Sequence, residues 1–278
     1  MKIAKLIILA ASSLVPFTLA AQTNRYIDIE ADASAMVDSG AGILNNGVTY
    51  TLATKNDVGT YVFYPTIETS NPLLNHTTDF RFFMLAHPGT TTPGEKMLVN
   101  LTENGQPHAP AWNVMNTIGF EVRLGADYQL QTKNMQLVEW WQGSPYGAVV
   151  EMIIKPGTKQ WAIGIENNAN NDQGNGAEIF IDGQTLNIGQ WYHFVIGVKP
   201  NYASNGAVQV WQDGIYLINH GSDPVGYNPA TVVGTKGNGG LPMNGFNVCV
   251  GMYRPANTND AEIYFDSLRW GSSYGDVK

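Results

Sequence analysis

Short alternating apolar stretches follow one another along most of this chain, and this pattern constrains the fold more than any other feature. Glycine, asparagine, aspartate and proline separate the stretches, and few segments have the 3.6-residue apolar period of a helix. The predicted strands are 49–52, 60–65, 79–85, 96–101, 119–124, 135–142, 148–154, 160–166, 178–181, 191–198, 207–212, 215–219, 246–253 and 261–270. Strands at this density with almost no helix predict an all-β sandwich or barrel.

Residues 1–21 have the pattern of a secretory signal peptide. Lys2 and Lys5 form the basic start, an apolar stretch begins at Leu6, and small residues precede Gln22. The apolar stretch is too short and too interrupted to span a membrane. We therefore expect an exported protein, extracellular or periplasmic, in which residues 22–278 form a single monomeric domain with no membrane contact.

Charge and cysteine content narrow the range of partners. The 278 residues include 15 lysines and arginines against 23 aspartates and glutamates, a formal net charge of −8. This acidity argues against nucleic acid, which needs a basic surface, but it permits a polyanion bound by a few cations in one groove. Cys249 is the only cysteine, so no intramolecular disulfide can form and the core must supply the stability.

The segment 246–255 is the most informative of the predicted strands. Its apolar residues alternate with a second set that ends in Tyr253, and Gly251 leaves room beside that ring. A tyrosine above a small, partly polar strand face is typical of the wall of a ligand site. Spacing alone leaves an ordinary exposed tyrosine as an equal alternative.

A second candidate is Arg81, which alternates with Phe80 and Phe82 and so belongs to the polar face of its strand. A cation in that position can bind an anionic ligand. The alternative is a surface ion pair with Asp79.

The strand around Trp140 and Trp141 contains an internal conflict. At least one of the two indoles belongs to the core, and alternation puts Glu139 on the face of Trp141, which we expect to be the buried face. A β-bulge, or an ion pair between Glu139 and Arg123, would resolve the conflict.

Two loops and the five histidines are the remaining candidates for metal or ligand roles. The segment 167–176 could supply oxygen ligands to a structural calcium ion, but its irregular spacing favours a plain turn. The glycine-rich segment 234–240 precedes the Tyr253 strand and could act as a lid. The five histidines lack metal-ligand spacing. We expect that no cofactor is required.

Several segments together carry a resemblance to a known family. WYHFVIGVK at 191–199 is followed by GAVQVWQDG at 206–214, then by Gly226-Tyr227-Asn228 and by a strand that ends in Gly251-Met252-Tyr253-Arg254. In this order and spacing, residues 119–278 resemble the concanavalin-like jelly-roll polysaccharide lyases, and the heparin-lyase-like members in particular. The resemblance implies a β-jelly roll of two antiparallel sheets with a concave substrate groove.

The chain departs from that family pattern at three informative positions. Cys249 stands where the K-F-G-x-Y-R strand of the family has lysine, and Trp140 and Gln142 replace the glutamine and histidine of its Q-W-H-G strand. A chain without that histidine is similar to the glucuronan-lyase branch, in which a glutamine and a tyrosine are the expected functional pair. The resemblance therefore implies Tyr253 and Gln142 as functional residues.

The chemistry of uronate cleavage agrees with these residue types. β-Elimination removes the C5 proton, which lies α to a carboxylate, so donors or cations must take up the charge that develops. One group must accept the proton and one must protonate the leaving O4. We assign Tyr253 as acid and also as base, with Arg81 favouring its phenolate. Gln142 is assigned to the substrate carboxylate and Trp140 to stacking on a sugar ring.

The sequence thus predicts a secreted endolytic polysaccharide lyase acting on an anionic, glucuronate-containing polysaccharide, with glucuronan as the first candidate and ulvan as the second. Further substrate-binding candidates are Asn247, Arg123, Arg254 and His87. His87 is also a candidate substitute base. A glycoside hydrolase on the same sandwich would need two carboxylates about 5–10 Å apart, and no E-x-D-x-x-E strand pattern occurs. A non-catalytic glycan-binding module would have the same aromatic residues and hairpins, so only activity separates it from a lyase.

Overall fold

The computed structural model describes residues 25–29, 36–38, 42–45, 48–50, 52–55, 66–68, 79–84, 95–100, 113–141, 148–166, 178–226, 247–255 and 259–278. Its strands are β1 (Arg25–Ile29), β2 (Met36–Asp38), β3 (Gly42–Asn45), β4 (Val48–Tyr50), β5 (Leu52–Lys55), β6 (Thr66–Glu68), β7 (Asp79–Met84), β8 (Glu95–Asn100), β9 (Asn116–Leu124), β10 (Met135–Trp141), β11 (Ala148–Ile154), β12 (Gln160–Glu166), β13 (Glu178–Thr185), β14 (Trp191–Lys199), β15 (Asn201–Gln212), β16 (Ile215–Val225), β17 (Asn247–Arg254) and β18 (Ala261–Gly271). A single turn of helix, α1 (Tyr274–Val277), follows β18. The predicted signal segment 1–21, the predicted strand 60–65 and the loops 167–176 and 234–240 lie outside the described residues.

The strands form two large antiparallel sheets and one small one. The eight-stranded sheet has the order β16-β15-β14-β9-β18-β7-β6, with β1 also paired to β18, and the seven-stranded sheet has the order β13-β12-β11-β10-β17-β8-β5. Strands β2, β3 and β4 form a separate three-stranded sheet. This arrangement confirms the prediction of an all-β jelly-roll sandwich. In the described part of the chain, no helix is both long and apolar enough to cross a membrane.

Aromatic side chains between the two large sheets show how the core joins them. In the eight-stranded sheet, the ring centroids of Phe120 and Phe194 are 5.7 Å apart, and those of Phe120 and Phe265 are 6.1 Å apart. Trp161 of the seven-stranded sheet meets Phe194 edge-on at 5.4 Å. All four side chains are fully buried, and burial of each such residue stabilises the fold by about 1.5–3 kcal/mol.

The hairpin between β15 and β16 turns at Asp213 and Gly214, and Asp-Gly between two alternating apolar stretches is a strong sequence signal for such a turn. Their φ angles are 52° and 78°, the left-handed values that a two-residue hairpin turn of this type requires at both positions. The preceding Gln212 points inward, and its Oε1 accepts a hydrogen bond of 2.9 Å from Nε1 of Trp161. The hairpin is thereby tied to the opposite sheet by a buried polar contact.

A β-bulge in β10 decides which side chains of that strand face the core. The register shifts between Gln136 and Val138 relative to both neighbouring strands, and the two residues that follow Gln136 are both buried. Relative to β11 the extra residue is in β10, whereas relative to β17 it is in β17. The shift reverses the phase of side-chain alternation in β10 from that point onward. Trp140 therefore faces the core, and Glu139 and Trp141 face outward.

Candidate active site

The outer face of the seven-stranded sheet carries Tyr253. In β17, Val250 and Met252 are buried in the core, so the partly exposed Tyr253 points away from it. The register places Tyr253 opposite Lys96 of β8 on one side and Gln136 of β10 on the other. The phenol therefore lies in the interior of a sheet face, with a lysine position and an amide as its neighbours in the ladder.

A second row of residues crosses the same face. Glu139 of β10 is paired with Cys249 of β17 and with Glu151 of β11. Directly opposite residues in an antiparallel ladder have Cβ atoms about 4.5–5.5 Å apart, so the two side chains are neighbours. Although it points away from the core, Glu139 is only 5 % exposed. Of the two explanations proposed for its position in the sequence pattern, the bulge is the correct one.

Trp140 does not belong to this face. Its side chain is fully buried in the core, because the bulge at Gln136–Val138 shifts the alternation by one residue. The prediction that Trp140 stacks on a sugar ring is therefore wrong. The partly exposed Trp141, paired with Asn247 of β17, occupies the outward position instead.

Arg81 lies on the opposite side of the sandwich from Tyr253. Phe80 and Phe82 on either side of Arg81 are fully buried between the sheets, which directs Arg81 to the outer face of the eight-stranded sheet. The whole core separates the two side chains, so the prediction that Arg81 favours the phenolate of Tyr253 is wrong. Its Nε donates a 2.7 Å hydrogen bond to Oε1 of Glu262, not to Asp79.

Glu262 is the centre of a hydrogen-bond network on that second face. Its carboxylate accepts bonds from Arg81, from the backbone amide of Asp127 at 3.0 Å and from the hydroxyl of Tyr264 at 3.0 Å. Burial alone would raise the pKa of Glu262, but these donors outweigh it and hold the pKa below its ordinary value. Gly125 packs directly against this carboxylate, since a Cβ there would lie 2.1 Å from Oε2.

Arg123 belongs to the same network and not to the Tyr253 face. Its guanidinium lies 3.9 Å from the ring centroid of Tyr264 and 5.2 Å from that of Trp191, and its Nη2 is 3.6 Å from Oδ2 of Asp79. Only 9 % of Arg123 is exposed. The predictions that it binds substrate beside Tyr253, or pairs with Glu139, are therefore wrong.

Arg254 is a structural residue. It is fully buried, and its Nη1 donates hydrogen bonds of 2.6 Å to Oε1 of Gln131 and 2.5 Å to the carbonyl of Asn259. The predicted contact with substrate is wrong, because the buried guanidinium is bound to Gln131 and Asn259. The predicted substrate role of Asn247 remains a prediction, and Gln142 and His87 lie outside the described residues.

Three residues of the Tyr253 face were missed in the sequence: Lys96, Gln136 and Glu151. Strand 96–101 was predicted, but its pairing with β17 depends on contacts between segments distant in the chain. The sequence signal that could have identified Gln136 is the pair of adjacent apolar residues after it, which is unusual in a half-buried strand and is the mark of a bulge. In the described ranges, no group of three or more histidine, cysteine, aspartate or glutamate residues could hold a metal ion.

Solved structures with the same fold include several polysaccharide lyases. The endo-β-1,4-glucuronan lyase from the fungus Trichoderma reesei superposes with a TM-score of 0.59 at 17 % identity, covering 84 % of this chain and 94 % of that one. An alginate lyase in complex with an alginate trisaccharide gives a TM-score of 0.55 at 13 % identity, covering 89 % and 98 %. The family 7 alginate lyase A1-II' gives a TM-score of 0.53 at 14 % identity, covering 86 % and 93 %. At these identities the likeness defines the fold.

The class of enzyme follows from the match between this sequence and a protein family. The polysaccharide lyase family matches residues 113–269, which is more than half of the chain. No curated protein sequence matches the chain. The chain belongs to the polysaccharide lyase family and is a lyase. The matched region includes β10, β11 and β17, and therefore both rows that cross the face around Tyr253 except for Lys96, which precedes it.

Proposed function

We propose that this chain is an exported endolytic lyase that cleaves a glucuronate-containing polysaccharide by β-elimination, with Tyr253 as acid and base. The observation that carries the proposal is the place of Tyr253, partly exposed on an outer sheet face between Lys96 and Gln136. Family membership supplies the reaction class, and the likeness to a glucuronan lyase supports glucuronate among the uronic acids.

In the proposed reaction, the phenolate of Tyr253 takes the C5 proton of the uronate. The C4–C5 double bond forms as the C4–O4 bond breaks, and the same phenol returns the proton to O4. Because the ordinary pKa of tyrosine is about 10, the phenolate needs a nearby cation. Lys96 takes the role that the sequence suggested for Arg81, since its register position is directly beside Tyr253.

A side-chain amide neutralises the substrate carboxylate in this proposal. Gln142 remains our candidate, and Gln136 is a second amide whose register position adjoins Tyr253. Trp141 takes over the sugar-stacking role, with Asn247 opposite it in the ladder. His87 stays a candidate substitute base. An amide and a cation can stabilise the developing negative charge without a metal, so we propose that no cofactor takes part.

Ulvan also contains glucuronate and is our second candidate substrate. Glu139 and Glu151, paired in the ladder, lie on the same outer face as Tyr253. A polyanion bound on this face therefore approaches an acidic pair, which places the cation and the amide beside Tyr253 at the uronate that is cleaved.

The remaining proposals come from the sequence alone. Residues 1–21 direct the chain out of the cytoplasm, and the monomer is the working unit. A structural calcium ion, if one is bound, takes its oxygen ligands from the segment 167–176.

The test is incubation with glucuronan, ulvan, alginate and heparin while the ultraviolet absorbance of the unsaturated uronate product is recorded. We expect the absorbance to rise with glucuronan or ulvan and to stay flat with heparin, which is the most densely sulfated of the four polymers. New reducing ends without absorbance would indicate hydrolysis by the Glu139–Glu151 pair and would overturn the proposal. Binding without any product would indicate a glycan-binding module.

A further inference from the structure

The Tyr253 face continues across the sheet to its edge. The row that begins with Cys249 and Glu139 passes through Glu151 of β11 and Gly164 of β12 to Phe180 of β13. Residues paired directly in an antiparallel ladder present their side chains on the same face. Phe180 therefore stands on the same face as Tyr253, and the neighbouring Ile181 packs against the core, as alternation requires.

Phe180 is a large apolar side chain in a place that does not need one for folding. It is 43 % exposed on β13, the edge strand of the seven-stranded sheet. Its partner in the next strand is Gly164, which has no side chain to cover the ring. Edge strands more often carry charge, which prevents association with other chains. The exposed ring is thus a cost for solubility, and a ligand that covers it would remove this cost.

The surroundings of Phe180 suit a sugar chain. In the adjacent row, both carboxylate oxygens of Asp182 accept 2.9 Å hydrogen bonds from Nζ of Lys155 across β12. This pair fixes a polar rim beside the apolar ring. A pyranose has the matching surface, with an apolar C–H face that stacks on an aromatic ring and hydroxyl groups at its edge for polar partners.

Phe180 is far enough from Tyr253 that a polymer can contact both residues and a short product cannot. Four strand-to-strand steps separate β17 from β13, and at about 4.8 Å each they span about 19 Å. An endolytic enzyme must hold several sugars on each side of the bond it cleaves. The face between Tyr253 and Phe180 offers that length.

We propose that Phe180 forms a distal subsite of this lyase, in which its ring stacks on a sugar of the polysaccharide several units away from the cleaved bond. The inference rests on the proposed function and deepens it. It assigns Phe180 to the binding of long chains and leaves the chemical step to Tyr253.

The test compares Phe180→Ala and Phe180→Trp with the wild-type enzyme. The control is Ile215→Ala, which removes a side chain of 61 % exposure from the opposite sheet. Loss of the apolar contact in Phe180→Ala should raise KM for the polymer about tenfold. Its kcat should stay within about twofold, because the contact is the same in ground state and transition state. On a trisaccharide, which is too short to reach Phe180, all variants should match the wild type. Phe180→Trp, which keeps an aromatic ring at this position, should have the wild-type KM for the polymer.

Binding measured without turnover separates this inference from the proposed function. In Tyr253→Phe protein, the added Phe180→Ala change should reduce retardation in gels that contain glucuronan or ulvan, even if neither polymer is cleaved by the wild type. An unchanged polymer KM and unchanged retardation would overturn the subsite. An equal loss on polymer and trisaccharide would overturn it as well, because that result indicates a disturbed fold.

Discussion

The two outer faces of the sandwich use the same types of residue for different purposes. On the eight-stranded sheet, one row alternates cation and ring through Arg81, Tyr264, Arg123 and Trp191. Both cations are bound to acids, at 2.7 Å from Arg81 to Glu262 and at 3.6 Å from Arg123 to Asp79. On the seven-stranded sheet, the corresponding row places Tyr253 between Lys96 and Gln136.

The tyrosines of the two faces differ in the residues beside them. Burial, the hydrogen bond to Glu262 and the charge of Glu262 all raise the pKa of Tyr264, so its phenol stays protonated and serves as a donor. In our proposal Tyr253, which is paired with Lys96 in the ladder, is the tyrosine that acts as acid and base. The two tyrosines are then distinguished by the residues beside them and not by residue type.

The largest effect should come from removing one hydroxyl group from each face. Tyr253→Phe should lower kcat by about 10³-fold or more, because the same group accepts and returns the proton. Tyr264→Phe should leave kcat within about twofold and cost about 1 kcal/mol of stability through the lost hydrogen bond to Glu262. Initial rates from ultraviolet absorbance and thermal unfolding of both variants test the comparison.

The matched pair also provides its own control. Equal unfolding temperatures for Tyr253→Phe and the wild type would show that the fold is intact. If Tyr253→Phe keeps most of the activity, or Tyr264→Phe loses it, the assignment of the active face to the seven-stranded sheet fails.

The next effect separates core from surface in one strand. Trp140→Ala should destabilise the protein by about 3–5 kcal/mol, because it leaves a large cavity between the sheets. Trp141→Ala should cost about 1 kcal/mol or less and raise KM for the polymer, because its ring faces outward. Urea unfolding and steady-state kinetics measure the two effects. A larger loss of stability in Trp141→Ala than in Trp140→Ala would show that Trp141 faces the core and that the bulge is misplaced.

That strand also shows how far the sequence can predict this molecule. The alternating segments and the Asp213-Gly214 turn are local signals, so the strands, the hairpin and the sandwich class were predictable. The bulge at Gln136–Val138 was one of two explanations for Glu139, and its effect on Trp140 depends on partners in two other strands. A shift of the alternation by one residue exchanges the side chains that face the core with those that face outward. For this reason the sequence pattern predicted Trp140, and not Trp141, as the outward residue.

The error for Arg81 has a different physical origin. Alternation correctly placed Arg81 on the polar face of its strand, but every sandwich has two polar faces. Strand order decides which face a residue shares with another, and strand order is set by pairings that no local pattern specifies. Arg81 on β7 and Tyr253 on β17 belong to different sheets, so their convergence was not predictable from either strand alone.

The smallest effect concerns the stability that the second face supplies. Glu262→Gln should lower the free energy of unfolding by about 2 kcal/mol at pH 7, because a buried carboxylate loses its charge-assisted bonds while Arg81 stays partly solvated. Activity on the polymer should stay within about twofold. Urea unfolding of both proteins measures the difference, and Asp182→Asn, which alters an exposed pair, is the control.

The pH dependence of that difference has a defined sign. The pKa of Glu262 is lower in the folded protein than its ordinary value of 4.5, so its stabilising contribution is complete above pH 4.5. The contribution is lost as the pH falls through the lowered folded pKa, where the folded carboxylate is protonated. The gap between wild type and Glu262→Gln should therefore be constant from pH 7 to about pH 5 and should shrink below pH 4.5. A gap that widens in acid would show that Glu262 is destabilised as an anion, and the second face would then not be the structural network described above.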